Sequence, residues 1–246
     1  MAGRIFITGD KHGTFTPFFG LAEKNDLYPD DILLITGDAG YVWDEEYPLK
    51  IKTLQQLFPG TVAFIDGNHE NHVLLNGMET VIWNGGRAHR VGERIYHLMR
   101  GELYTIYGNR IFTFGGARSV DVDRHEGGSS WWKKEGSSWW KEEEPTGEEI
   151  AYGKEQLMKH ADTIDYVITH ETPLMARAFI SRSKEVDDDY PLPALFDEWY
   201  AILESAPNFK KWYFGHMHAD QIITPKLRAL HSNILPIGEE TRIRWF

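Results

Sequence analysis

Ile32-Leu33-Leu34-Ile35-Thr36-Gly37-Asp38-Ala39-Gly40 is the stretch that decides the fold. A short apolar run cut off by turn residues reads as a buried strand. The same shape recurs outward from it, at Arg4–Thr8, Val62–Ile65, Tyr166–Thr169 and Trp212–Phe214. Amphipathic stretches separate the early runs, and their spacing predicts helices over Phe15–Lys24 and Leu49–Phe58. Strand, helix, strand, helix, strand is the order of βαβ units and a largely parallel sheet. Beyond them the pattern changes. Residues Arg87 to Phe114 alternate apolar and polar, and Gly108-Asn109 is a hairpin signal between Leu103–Tyr107 and Arg110–Phe114. Further helices are expected at Thr146–His160 and Pro193–Glu204, and short strands over Gln221–Ile237. The expectation is a mixed α/β chain with antiparallel additions and two packed sheets. No linker divides it, so residues 1–246 read as one domain.

Composition narrows the partners. Apolar residues make up 41% of the chain, enough for a sizeable core. A formal charge of −11 argues against nucleic-acid backbones and against a polybasic membrane contact. The chain has no cysteine, which removes disulfides and thiolate–metal sites. Met1-Ala2-Gly3-Arg4-Ile5-Phe6-Ile7-Thr8 runs straight into strand-like sequence without a signal-peptide layout. Nothing approaches the roughly 18 apolar residues of a membrane span, so a cytoplasmic location is expected.

One segment stands apart. Gly128-Ser129-Ser130-Trp131-Trp132-Lys133 is followed by Gly136-Ser137-Ser138-Trp139-Trp140-Lys141, a near-repeat inside a Trp-rich loop at about residues 125–145. Loops tolerate insertion, so a duplication lengthening a surface loop is one reading. The other is that the paired tryptophans line a cleft or a partner surface.

The chemistry stands at the strand ends. Gly9-Asp10-Lys11-His12-Gly13 follows the first strand, Gly37-Asp38-Ala39-Gly40 the second and Gly67-Asn68-His69-Glu70 the third. Thr169-His170-Glu171 and Gly215-His216-Met217-His218 follow the later two. Open α/β sheets bind ligands just beyond the carboxyl ends of their strands. In extended chain, residues two apart point the same way, so Asp10 and His12 can share a focus, as can His216 and His218. Each motif alone is weak: a lone Gly-Asp is ordinarily a turn. Five of them in order, each after a strand, make one constellation.

That series of Asp10-x-His12, Gly37-Asp38, Gly67-Asn68-His69-Glu70, His170 and Gly215-His216-x-His218 resembles the calcineurin-like metallophosphoesterase superfamily. The Gly-Gly-Ala…Trp-Trp…Glu region is similar to bacterial and phage-type members. The resemblance implies a four-layer α/β/β/α sandwich with a binuclear metal centre. It places Asp10, His12 and His218 on one metal and Asn68, His170 and His216 on the other, with Asp38 bridging. His69 would be a catalytic residue and not a ligand, protonating the leaving group or stabilising the transition state. Two ions roughly 3.5–4 Å apart can grip a phosphate, activate a water between them and align the attacking and leaving oxygens. Two carboxylates against two divalent ions leave the site about +2, which is the charge an incoming phosphate meets. Imidazole, carboxylate and amide donors favour Mn, Fe, Zn, Ni or Co over Mg or Ca, and manganese or iron is expected.

There is one departure. Protein serine/threonine phosphatases of the superfamily carry Gly-Asp-x-x-Asp-Arg-Gly at the second motif, whereas this chain has Gly37-Asp38-Ala39-Gly40-Tyr41-Val42-Trp43. The phosphate-gripping arginine is missing there. Arg118 or Arg124 can replace it by forking onto a phosphate, or can pair with Asp121 or Asp123 instead. The expected substrate is a small phosphate ester or a phosphoprotein. Alternative readings are a nuclease on the same metals and a non-catalytic binding scaffold. His72, His89, His97, His125, His160 and His231 lie outside the motif series and read as surface or packing residues.

Overall fold

The computed structural model describes residues 3–24, 26–119, 139–180 and 190–239. Among the described residues thirteen strands form two sheets. The first has parallel strands β1 (Ile5–Thr8), β2 (Ile32–Ile35), β3 (Thr61–Phe64) and β6 (Ile95–Leu98). Antiparallel β5 (Gly86–Gly92) and β4 (Thr80–Trp83) extend it past β6, and β13 (Leu235–Pro236) pairs antiparallel with β1. In the second sheet β8 (Asn109–Phe114), β9 (Tyr166–Thr169), β10 (Lys211–Phe214) and β12 (Leu227–Ala229) run parallel. Antiparallel β7 (Glu102–Ile106) and β11 (Gln221–Thr224) close its edges.

Alternation along each strand explains the layering. On β1 and β2, Ile5, Ile7, Ile32 and Leu34 pack between the sheets, meeting Tyr166 and Ile168 of β9 and Tyr213 of β10. Phe6, Leu33 and Ile35 face the other way, onto α1 (Thr16–Lys24), α2 (Tyr47–Leu57) and α3 (His72–Asn76), through Phe18, Leu54 and Leu75. Val167, Trp212 and Phe214 face outward from the second sheet. They meet α4 (Gly147–His160), α5 (Leu174–Ile180) and α6 (Leu192–Glu204) through Leu157, Ala176 and Phe196. Helices, sheet, sheet, helices: this is the α/β/β/α sandwich. Strands buried on both faces cannot alternate with polar residues, which is why they read as unbroken apolar runs. Each such side chain, fully buried, stabilises the fold by roughly 1.5–3 kcal/mol.

Thr146 starts α4 with a capping box. Its hydroxyl accepts from Glu149 N at 3.2 Å, and the Glu149 carboxylate accepts from Thr146 N at 2.8 Å. The short helices α3 and α5 were not expected from the sequence. The hairpin between β7 and β8 also turns one residue earlier than Gly108-Asn109 suggests. Ile106 pairs with Asn109, so Tyr107 (φ 48°) and Gly108 (φ 80°) occupy the turn. A two-residue type I′ turn needs positive φ at both positions. The Tyr107 hydroxyl reaches the Asp30 carbonyl, and the Asn109 amide donates to Ile106 O at 3.3 Å.

Of the Trp-rich loop, residues 125–138 lie outside the described residues, as does Arg124. Trp140 is buried against Trp43, with ring centroids 5.1 Å apart. Among the described residues no helix is long and apolar enough to cross a membrane.

Candidate metal centre

β1, β2 and β3 are neighbours in one sheet, and β9 and β10 are neighbours in the other. Their carboxyl ends therefore meet across the sandwich. Asp10, His12, Asp38 and His218 each bring a ligand atom within 4.8 Å of the others. His12 Nε2 lies 3.1 Å from His218 Nε2 and 3.8 Å from Asp38 Oδ2. Behind them, the Asn68 carbonyl oxygen lies 3.1 Å from His170 Nε2 and 3.0 Å from His216 Nδ1. His170 Nε2 is also 3.3 Å from Asp38 Oδ1. The seven residues singled out as metal ligands thus fall into two abutting groups. The first opens to solvent through His12 and His218, while the second is enclosed around a fully buried His170.

Convergence does not come from extended chain, as the i, i+2 spacing suggests. His12, Asp38, His216 and His218 all have φ between 46° and 66°. Non-glycine residues adopt this left-handed region at a cost, and such strain gathers at functional sites. His216 and His218 consequently serve different groups. Glycine has a steric duty at two positions. At Gly37, with φ 90°, a Cβ would lie 2.2 Å from His170 Nδ1. A Cβ at Gly67 would lie 2.1 Å from Asp38 Oδ1. In Gly67→Ala the Cβ meets the Asp38 carboxylate and also the Asp38 main-chain nitrogen, 2.5 Å away, so the loop must move together with the side chain. Manganese affinity is expected to fall at least about 10–100-fold by calorimetry, with circular dichroism checking that the fold persists. Unchanged affinity would show that Asp38 can yield without consequence.

The site's polarity suits cations. His170 Nδ1 donates to the Thr36 carbonyl at 2.8 Å, which aims Nε2 at Asn68 and Asp38. Burial works against charge on His170, but Asp38 and then Asp10 raise its pKa to about 10. Burial also opposes the Asp38 charge, yet His170, with His69 and His12, holds that carboxyl below the usual range. A buried negative cluster thus draws positive charge. Asp10 keeps one oxygen, Oδ2, buried without a hydrogen-bond partner, while Oδ1 accepts from His216 N at 2.9 Å. An orphaned carboxylate oxygen, ring nitrogens closing on one another and an amide oxygen facing two imidazoles form a donor set that fits two metal ions.

His69 holds the site by its main chain, donating N–H to Asp38 Oδ1 at 2.8 Å. Its half-buried ring stands 5.4 Å from that of His12. Arg118 forks onto Glu144 at 2.8 and 3.1 Å and lies over the Tyr190 ring, 4.6 Å from its centroid.

Sequence reasoning passed over the supporting residues. Glu70, fully buried, accepts from Ala39 N at 2.6 Å and from Gly40 N at 3.3 Å, clamping the loop that carries Asp38. Burial, then nearby Asp38, pushes its carboxyl well above the ordinary range. Glu171, also fully buried, has Oε2 3.9 Å from His216 Nε2, on the far side of the ring from Asn68. At that distance the carboxylate and the ring attract by charge without a hydrogen bond, while Glu171 Oε1 accepts from Thr172 N at 2.6 Å and Arg177 Nη2 at 2.7 Å. Both glutamates directly follow a motif histidine, which is the one signal they offered. Lys11 is buried and donates to His231 O at 2.7 Å, and burial pushes its pKa down to about 8. His231 proves to be a site neighbour: its ring stacks on His218 at 4.7 Å, and Nδ1 is 3.7 Å from Asp10 Oδ2.

The model of the calcineurin-like phosphoesterase family matches residues 3–220, and the chain belongs to that family. No curated protein matches the chain at a significant level.

Proposed function

We propose that this chain hydrolyses small phosphate esters with two metal ions, manganese or iron, held by the seven side chains at the strand ends. Asp10, His12 and His218 would hold one ion, Asn68, His170 and His216 the other, and Asp38 would join them. One observation carries the assignment. Asp38 turns Oδ2 toward His12, at 3.8 Å, and Oδ1 toward His170, at 3.3 Å, one oxygen for each group. When bound, such an ion pair supplies the charge that polarises a phosphate and lowers the pKa of an attacking water.

The chain's own residues do the rest. Glu70 and the His69 main chain hold Asp38 still, and Glu171, 3.9 Å from His216 Nε2, draws that edge of the ring by charge. His69 stands on the solvent side, where a leaving oxygen departs, and gives it a proton. Arg118 would have to leave its pair with Glu144 to grip a phosphate. Arg124 remains its alternative. The missing arginine at Gly37–Trp43 favours a small ester over a phosphoprotein. The charge of −11 disfavours a nuclease, and the cysteine-free composition suits a cytoplasmic enzyme.

The test is a panel of phosphomonoesters, phosphodiesters, nucleotides and single-stranded DNA with manganese added. Turnover of an ester is expected, lost on chelation and restored by manganese. Cleavage of DNA alone would replace this reading with a nuclease, and inertness across the panel would end it.

A further inference from the structure

The Asn68 amide has two chemically different ends. Only its oxygen can ligate a cation, and that oxygen lies 3.1 Å from His170 Nε2 and 3.0 Å from His216 Nδ1. A bound ion takes the ring lone pairs, so the imidazoles then give the amide oxygen no hydrogen bond. What fixes the end that faces them is the partner on the NH2 side.

A buried chain of hydrogen bonds makes that choice. Ser119 N donates to Glu143 Oε1 at 2.6 Å, and Ser119 Oγ donates to Glu143 Oε2 at 2.9 Å. Because the hydroxyl spends its one O–H on the carboxylate, the Ser119 oxygen is left as an acceptor. It accepts from Asn68 Nδ2 at 3.2 Å, and the amide oxygen is thereby turned toward His170 and His216. Asn68, Ser119 and Glu143 are 3%, 5% and 1% exposed, so bulk solvent does not compete for these partners. Two further contacts brace the frame. Ala117 N donates to Glu143 O at 3.2 Å, and Arg118 forks onto Glu144.

We infer that Ser119 and Glu143 are positioning residues that fix the Asn68 amide oxygen toward the second metal ion. The inference rests on the two-metal reading above. It ties the exit of the Trp-rich segment, Trp140 to Glu144, to the metal centre through one hydroxyl.

Metal-stripped protein titrated with manganese by calorimetry tests it, with circular dichroism as the check on folding. Ser119→Ala is expected to weaken one of the two ions about 10–100-fold and to leave the other unchanged. Glu143→Gln is a second, independent route. Its amide N–H points at the Ser119 oxygen and turns the hydroxyl proton toward Asn68, and the same ion is expected to weaken. An aspartate needs no such orientation, because its two oxygens are equivalent. In an Asn68→Asp background, Ser119→Ala should therefore change affinity less than about twofold, the scatter of uncoupled sites. Full affinity in both single variants overturns the inference, as does an equal loss in the Asn68→Asp background. Wild-type protein that binds fewer than two ions overturns the two-metal reading itself, and that result needs no variant.

Discussion

Asp38→Asn is expected to lose both metal ions and all measurable metal-dependent turnover. The substitution is nearly isosteric, so packing is not at stake; the carboxylate's charge and its second oxygen are. Asparagine keeps one carbonyl oxygen and replaces the other with an NH2, which repels whichever ion it faces. Losing an outer partner of a metal ligand costs about 10–100-fold in affinity, and losing the shared ligand should cost more at both positions. The charge also vanishes from the cluster that draws His170 up to about 10, so the pull on a cation fails along with the bond. The His69 N–H that donates to Oδ1 at 2.8 Å would face an NH2 in one amide rotamer, which drives the other and fixes the wrong end toward one group. Metal analysis after dialysis against manganese should find neither ion retained. Two ions at full occupancy would remove Asp38 from its place between the groups.

What the sequence displayed and what it hid follow from how local each cause is. Ile5, Ile7 and Phe6 sit on opposite faces of one strand, and both faces are covered. Burial there left an apolar run visible without any partner in view. The same holds for Ile32–Ile35 and Val62–Phe64. α3 has only five residues, and α5 lies between Pro173 and residues outside those described, so neither offers enough turns for a periodic pattern. The candidate ligands were legible because each lies within four residues of a strand's end. Their geometry was not. Left-handed φ at His12 and His218 depends on loops from other strands, as when Lys11 N and His12 N both donate to Asp38 O at 2.8 Å. Glu70 and Glu171 were in plain sight beside motif histidines, but their duty appears only when a neighbouring loop or ring closes on them. Ser119 and Glu143 are 24 residues apart, and no periodicity joins them.

His69→Asn should do the reverse of Asp38→Asn: both ions stay and chemistry fails. The His69 contact with Asp38 is made by its main-chain N–H, which an asparagine retains, so the ligand cage has no reason to loosen. What disappears is the half-exposed imidazole beside His12, the proposed proton donor to the leaving group. General acid catalysis is worth typically about 10²–10⁴-fold, and only where the leaving oxygen needs a proton. Turnover of an alkyl phosphate should fall by that factor. A nitrophenyl phosphate leaves as a stabilised anion near neutral pH, so its turnover should fall far less. The contrast between the two substrates, at unchanged manganese content, separates proton donation from damage to the metal site, which would slow both alike. Equal losses on both esters would assign His69 to holding the phosphate in the transition state, and no loss on the alkyl ester would leave the leaving group without its donor.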